Sequence, residues 1–105
     1  MPEWVRVAST AECRDHGCLR KVLASGEAIV LARREDEIFA LEDRCSHEDF
    51  PLSEGEIVDG TLECVLHGAR FDLRTGRALS LPAVRPVKTY RAEIRDGEIY
   101  VEIGR

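Results

Sequence analysis

The chain has no long apolar run. Charged residues interrupt every apolar stretch within the first twenty positions, and no later stretch approaches the roughly 20 residues that a membrane-spanning helix needs. The same charges lead us to expect no secretory signal segment in these residues, because such a segment requires an uninterrupted apolar centre. We therefore expect a cytoplasmic protein that does not enter a membrane.

The chain is also short of positive charge. It holds 15 Lys and Arg against 20 Asp and Glu, which gives a net charge of −5 at pH 7. Nucleic acids and anionic membrane surfaces attract clustered Lys and Arg, so neither is expected as a partner. A partner protein with a basic surface is the better expectation.

A third absence is that of a linker rich in Ser, Gly and Pro. The 105 residues are therefore predicted to form one domain, residues 1–105. Apolar residues make up 44% of the chain and charged residues 33%, a composition typical of globular proteins. The core of so short a chain is small, and a cofactor bound only by the folded state could supply a useful share of its stability.

Short segments that contain β-branched or aromatic residues, several of them alternating apolar with polar, predict strands. These segments are residues 4–7, 27–32, 37–41, 87–94 and 98–103. Asp96-Gly97 favours a tight hairpin turn between the last two, and Ser9 with Glu12 favours a single helical turn. From residue 43 to residue 85, glycine and proline recur too densely for long strands. The predicted fold class is all-β, an antiparallel framework with a loop-rich insert at about 43–85.

Two short segments of this insert each contain one cysteine and one histidine. Cys45-Ser46-His47 is followed, after sixteen residues, by Cys64-Val65-Leu66-His67. Thiolate and imidazole together suit iron–sulfur centres and zinc. Zinc fingers usually place two cysteines in one arm and two histidines in the other, whereas a two-iron cluster has a use for mixed arms. The pattern favours an iron–sulfur cluster held by Cys45, His47, Cys64 and His67, with a zinc-stabilised binding module as the alternative.

The sequence resembles the Rieske ferredoxin family over nearly its whole length. The matching residues occur in the family's order: 43–47, Leu52, Gly55, 64–72, Thr75-Gly76, Pro82, Pro86 and Tyr90. The resemblance implies one [2Fe-2S] cluster, to which each arm gives its cysteine on one iron and its histidine on the other. It also implies a Rieske-type antiparallel β sandwich with a smaller cluster-binding subdomain, and a covering loop at Leu81-Pro82-Ala83.

High-potential members of this family carry features that the chain lacks. They have an extra cysteine in each ligand segment, and a Ser and a Tyr that donate hydrogen bonds to sulfur. The corresponding positions here look like Phe50, Leu66, Ala69 and Phe71, whose side chains cannot do so. Because such donors stabilise the reduced cluster, their absence predicts a potential near the low end of the Rieske range, about −150 mV.

The resemblance implies an electron carrier and not an enzyme. Its donor would be a flavin-dependent ferredoxin reductase and its acceptor a terminal oxygenase, most typically a ring-hydroxylating one. Both would dock near His47 and His67, and we expect a monomer. The surrounding acids would either steer a basic partner or simply keep the loop soluble; they are Glu48, Asp49, Glu54 and Glu56.

Other interpretations stay open at this point. A small redox subunit of a reductase complex, such as that of nitrite reductase, would use the same cluster. An oxygenase's Rieske domain would act beside a mononuclear iron site with two histidines, and only His16 lies outside the cluster segments. Cys13, His16 and Cys18 could pass for a second metal site, but packing of free cysteines is the better interpretation, in a segment expected to precede the framework. Arg20 is expected on a solvated face.

Overall fold

The computed structural model describes residues 3–44, 51–65, 68–80 and 85–103. Within these ranges the chain is built almost entirely from short strands, and none of its helical turns has the length or hydrophobicity of a membrane span. The elements are β1 (Glu3–Ser9), β2 (Cys18–Val22), β3 (Ala28–Arg34), β4 (Glu37–Glu42), a 3-10 turn (Leu52–Glu54), β5 (Glu56–Val58), β6 (Thr61–Glu63), β7 (Arg70–Asp72), β8 (Thr89–Tyr90), β9 (Ala92–Arg95) and β10 (Glu98–Ile103).

The strands form three antiparallel sheets. Sheet A has the order β1-β10-β9, sheet B the order β2-β3-β4-β8, and sheet C the order β5-β6-β7. Each pairing in these sheets is antiparallel. The predicted all-β class and antiparallel architecture are confirmed.

Strand β3 divides the core into two halves. Leu31 packs in one apolar cluster with Ile99 and Val101 of sheet A. Its neighbour Val30 packs in a second cluster with residues of sheet C, including Phe71. Since successive side chains of a strand point to opposite faces, sheet B is covered on both sides and lies between sheets A and C. Sheet C is thereby attached to the framework through its own apolar cluster.

The predicted strand at 87–94 is wrong in its extent. Strand β8 pairs with β4 through Tyr90 and Ala40, whereas β9 pairs with β10. The chain therefore leaves sheet B and enters sheet A at Arg91. A run of strand-forming residues looks the same whether it keeps one partner or changes partners, so the residue pattern alone could not show the break.

Strand β2 was missed altogether. It pairs with β3 from Cys18, opposite Ala32, to Val22, opposite Ala28. The expectation that the Cys13–Cys18 segment precedes the framework is therefore wrong, because Cys18 is the first residue of a sheet B strand. Its five residues include Arg20 and Lys21, and an edge strand with such a high share of charge gives a weak apolar signal.

The predicted turns are present. Asp96 and Gly97 join β9 to β10 with φ values of 49° and 77°, the positive pair that a type I′ turn requires. The Ser9 N–H donates to the Glu12 carboxylate at 2.9 Å, which closes the predicted single turn after β1. Asp59-Gly60 connects β5 to β6 in the same way as the first pair, and this second Asp-Gly signal was available in the sequence.

Candidate metal centre

The second ligand segment leaves sheet C at the end of β6 and returns to it at β7. The Cys64 N–H donates to the Ala69 carbonyl at 2.7 Å, and the Gly68 N–H donates back to the Cys64 carbonyl at 2.9 Å. These bonds close a narrow loop over 65–68. Cys64 is 1% exposed, whereas Val65 beside it is 56% exposed. The loop therefore carries a buried thiol and, one residue later, an apolar side chain at the surface.

Glycine at position 68 suits this tight closure. Its φ of +71° is one that side chains rarely adopt, and a Cβ there would approach Glu63 Oε2 to 3.4 Å. His67, the residue before it, lies outside the described residues.

The predicted covering loop starts beside the same strand. The Leu79 N–H donates to the Arg70 carbonyl at 2.8 Å, and the Arg70 N–H donates to Ser80 Oγ at 3.0 Å. Phe71 and Ala78 form an isolated bridge just before these contacts. The proposed loop at 81–83 lies outside the described residues, but the chain that leads into it runs along β7.

The first ligand segment is held at both of its ends. Cys45 and His47 lie outside the described residues. Before them, the Asp43 N–H donates to the Ala28 carbonyl of β3 at 3.0 Å. After them, Leu52 is fully buried in the apolar cluster that also contains Cys64. The structure thus brings the flanks of both ligand segments to the same side of sheet B.

Asp43 is a further functional candidate, to which the sequence analysis gave no role although it lies in the matching range 43–47. Its side chain is fully buried and pairs with Arg20, whose Nη1 lies 2.7 Å from Asp43 Oδ2. The expectation of a purely solvated Arg20 is therefore incomplete: its side chain is 48% exposed but its charged end is engaged. The family pattern includes Asp43, but nothing local in the sequence identifies its partner Arg20, 23 positions away.

Gly55 connects the two ligand segments sterically. A Cβ at this position would lie 1.9 Å from the Glu63 carbonyl oxygen, which no real Cβ contact reaches. Glu63 is the last residue of β6 and immediately precedes Cys64. The backbone that returns from the first segment is therefore in direct contact with the backbone that leads to the second.

The described donor fits an iron–sulfur cluster. Cys64 lies in an apolar cluster with Leu52, Ala69 and Phe71. Burial of this kind opposes a bare thiolate, and coordination to a metal ion offsets that cost. A buried thiol at the end of the central strand of sheet C, next to a glycine-closed loop, suits a soft metal centre shielded from water.

The cysteines near the N-terminus are structural. Cys13 is buried in the core between sheets A and B, with its Sγ 3.8 Å from the Leu31 carbonyl oxygen, which confirms the packing interpretation. His16 is exposed, and its Nδ1 lies 3.1 Å from Asp15 Oδ1. Burial raises the pKa of the Cys18 thiol to about 11. Across the described ranges no three His, Cys, Asp or Glu side chains converge as metal ligands would.

Comparison with known proteins decides between zinc and iron. A model of the Rieske [2Fe-2S] domain family matches residues 3–91. The chain belongs to this family. A Rieske domain carries one [2Fe-2S] cluster, which takes up and releases one electron, so the alternative of a zinc-stabilised module is wrong. The chain is a Rieske ferredoxin that carries electrons.

Three similar proteins illustrate the relationship. The 3-phenylpropionate/cinnamic acid dioxygenase ferredoxin subunit of Photorhabdus laumondii is 46% identical over 98 residues, covering 92% of this chain and 91% of that protein. A chain in a complex of reduced oxygenase and oxidized ferredoxin in carbazole 1,9a-dioxygenase is 30% identical, with a TM-score of 0.85, covering 93% of this Rieske chain and 91% of the other. A protein assigned as an NADH-dependent nitrite reductase small subunit from Mycobacterium tuberculosis has a TM-score of 0.89 at 20% identity, covering 100% and 98%, which shows the fold alone.

Proposed function

We propose that this Rieske ferredoxin is the electron-carrying component of a ring-hydroxylating dioxygenase system and has no catalytic activity of its own. It accepts electrons from a flavin-dependent ferredoxin reductase and passes them one at a time to a terminal oxygenase. The observation that carries the proposal is the 46% identity to a dioxygenase ferredoxin subunit over 92% of the chain. The likeness to a nitrite reductase small subunit, at 20% identity, gives no comparable support for that role.

In this proposal residues 43–85 form the cluster-binding subdomain of a single domain spanning 1–105. Cys45 and Cys64 bind one iron, and His47 and His67 bind the other. Three of these residues lie outside the described ranges, so the support comes from their flanks. The burial of Cys64 and the close approach of Gly55 to Glu63 support a shared cluster, because they join the described flanks of the two segments.

The proposed potential is low. Two of the four positions that lack a sulfur donor are described, and both are buried against the ligand segment: Ala69 is 1% exposed and Phe71 is 0% exposed. Their side chains have no N–H or O–H to give to sulfur. Fewer hydrogen bonds to sulfur leave the reduced cluster less stabilised, which supports a potential of about −150 mV.

We further propose that both redox partners dock at the end of the molecule that carries His47 and His67. Val65 is one of the few large apolar side chains that are exposed among the described residues, and Leu79, which is 48% exposed, is another. Both belong to the 43–85 segment. Glu54 and Glu56 are also exposed there and would favour a basic partner. We also propose that the carrier is cytoplasmic and monomeric. The charges on the edge strand β2 oppose pairing with a second sheet, which supports a monomer.

Anaerobic potentiometric titration followed by electron paramagnetic resonance tests the cluster and its potential together. We expect a reduced-state signal with an average g below the free-electron value, appearing at about −150 mV. The same signal at a strongly positive potential would contradict the argument from missing sulfur donors. Zinc without iron or labile sulfide in the purified protein would contradict the carrier function itself.

Electron delivery can be tested with a ring-hydroxylating oxygenase and its flavin-dependent reductase. The reduced ferredoxin should reduce the oxygenase's own Rieske centre in single-turnover mixing. Reductase, ferredoxin and oxygenase together should form the hydroxylated product with NADH as the electron source. Electron transfer to a nitrite reductase flavoprotein, without transfer to any ring-hydroxylating oxygenase, would instead favour a role as a small subunit of a nitrite reductase complex. Product formation at the same rate without the ferredoxin would contradict the proposal.

Val65→Lys tests the docking surface. Loss of a buried valine contact is worth roughly 1.5 kcal/mol or more, so the KM for the ferredoxin in the oxygenase assay should rise about tenfold. Ala11→Lys is the matched control, because it adds the same charge at an exposed position in the turn after β1, next to sheet A. Equal KM values for the two variants, each with an unchanged cluster spectrum, would show that the partners do not dock at Val65.

A further inference from the structure

The carboxylate of Asp43 joins three parts of the chain. Its Oδ1 accepts a hydrogen bond from the Ser53 N–H at 2.7 Å. Its Oδ2 accepts from Ser53 Oγ at 2.7 Å and from Arg20 Nη1 at 2.7 Å. Asp43 follows β4, Ser53 lies in the 3-10 turn and Arg20 lies in β2. We call this set of three residues the Asp43 clamp.

The clamp closes the base of the first ligand segment. Asp43 and Ser53 are ten positions apart, and the chain between them contains Cys45 and His47. The Asp43 N–H is also bonded to Ala28 of β3. The two ends of the segment are therefore tied to each other and to sheet B by groups that do not bind iron.

The clamp is strong because its carboxylate is fully buried. A carboxylate removed from water is costly unless it is paired and hydrogen-bonded. Here two donors come from Ser53 and a charged one from Arg20, and hydrogen bonds to an ionised acceptor are among the strongest in proteins. Any movement of Ser53 away from Asp43 would leave part of this charge without a partner. The segment between them is thereby held closed at its base.

The clamp also places a pair of charges near the cluster. Asp43 is two residues before Cys45, and Arg20 balances its charge across a 2.7 Å contact. Reduction adds one negative charge to a cluster, so a nearby carboxylate opposes reduction and a nearby guanidinium favours it. The two residues should therefore act on the potential with opposite signs.

We propose that Asp43 is a positioning residue that holds the first ligand segment in its cluster-binding conformation through Ser53 and Arg20, and that the Asp43–Arg20 pair adjusts the cluster's potential. This inference rests on the proposed ligation by Cys45 and His47. The Asp43 clamp would then stabilise the cluster site through residues other than its four ligands.

The first test measures cluster retention in the full-length holoprotein. Asp43→Asn, which keeps the shape but removes the charge, should lose iron and sulfide to a chelator about tenfold faster than the wild type, the effect expected for weakening a hydrogen bond to a charged group. Ser53→Ala should show a smaller acceleration, because its backbone N–H still donates to Asp43. Glu98→Gln is the matched control: it breaks the 2.6 Å Arg6–Glu98 ion pair on sheet A, on the far side of sheet B.

The second test measures the potential and the reduced-state resonance spectrum. Asp43→Asn should raise the midpoint potential and Arg20→Gln should lower it. Arg20→Lys, which keeps the positive charge, should have a midpoint potential closer to the wild-type value than Arg20→Gln. A purely structural role would not produce shifts of opposite sign. Arg6→Gln is the control for Arg20→Gln and should leave the potential unchanged. If Asp43→Asn does not fold, Arg20→Gln and Ser53→Ala decide the question, since both retain the buried carboxylate.

The outcomes separate the two proposals. A wild-type protein with a normal Rieske signal, combined with clamp variants that match their controls, would overturn the positioning role alone. Shifts of the same sign for Asp43→Asn and Arg20→Gln would overturn the electrostatic part. A wild-type protein that binds no [2Fe-2S] cluster would overturn both the clamp and the proposed function.

Discussion

Replacing Gly55 by alanine should disrupt the cluster site through a backbone clash. Gly55 lies between the 3-10 turn and β5 with φ of −90°, so alanine meets no conformational obstacle there. The obstacle is space: the new Cβ would lie 1.9 Å from the Glu63 carbonyl oxygen and 3.0 Å from its carbon. The effect of the substitution therefore measures the contact between the two ligand segments and little else.

The size of the effect follows from the geometry. Ordinary van der Waals contact of a Cβ begins at 3.4 Å, so the two backbones must separate by about 1.5 Å to accept the methyl group. Overpacking usually costs about 1–3 kcal/mol. This case belongs at or above the upper end, because a Cβ is fixed by its own backbone and the carbonyl oxygen it meets is main chain, so neither can rotate away. Glu63 precedes Cys64, so the same displacement also moves a proposed ligand. We expect a loss of about 3 kcal/mol or more in the free energy of unfolding, together with a lower cluster content.

The assay combines denaturant unfolding with iron and sulfide analysis of the purified protein. Gly26→Ala is the matched control: a Cβ there has no atom within 4 Å, and only its φ of +96° is unfavourable. That variant should lose about 1 kcal/mol and keep its full cluster. If Gly55→Ala were as stable as Gly26→Ala and equally well loaded, the contact between the two segments would not be what holds them together.

Three further predictions concern the core, a thiol and a turn. Phe71→Ala should cost about 3–5 kcal/mol in denaturant unfolding, with Phe71→Leu recovering most of it, because this ring is fully buried; a loss below about 1 kcal/mol would contradict its place in the core. Cys18, whose pKa is raised to about 11 by burial, should be alkylated far more slowly at neutral pH than an ordinary thiol, as peptide mapping would show; rapid labelling would refute this. Backbone donors, first that of Thr75, hold the pKa of Asp72 below its ordinary 3.8, so its contribution to stability is present above that pH and lost as the pH falls through the lowered value. Asp72→Asn should flatten this acid-side loss in thermal melting, and an unchanged pH profile would argue against it.

Much of the fold was predictable because its signals are local. Alternation over two positions predicted strands at 4–7, 37–41 and 98–103. The structure matches the last of these and moves no end of the other two by more than two residues. The Asp96-Gly97 pair predicted its hairpin because few residues tolerate two consecutive positive φ values. Strand β2 was missed because its charges weaken the apolar pattern by which strands are recognised.

The sequence predicted the chemistry of the candidate site but not the residues that hold its ligand segments in place. The spacing of Cys45, His47, Cys64 and His67 is a local feature of the chain, and the mixed thiol and imidazole arms are enough to favour iron–sulfur ligation. The supporting groups gave no comparable signal. Asp43 matched the family pattern without a role attached to it, and Arg20 looked like an ordinary surface cation.

By itself the sequence determined the β class, the hairpin turns and the candidate ligands, since each of these is carried by short segments whose residues can be interpreted in place. Only the tertiary structure decided that β3 is buried on both faces, that the chain changes sheets at Arg91, and that Asp43 pairs with Arg20 and Ser53. Those contacts join residues that are distant in the chain, and many alternative pairings satisfy the same local preferences. Packing selects among them, and the arrangement observed buries both apolar clusters while giving the buried carboxylate its three hydrogen bonds.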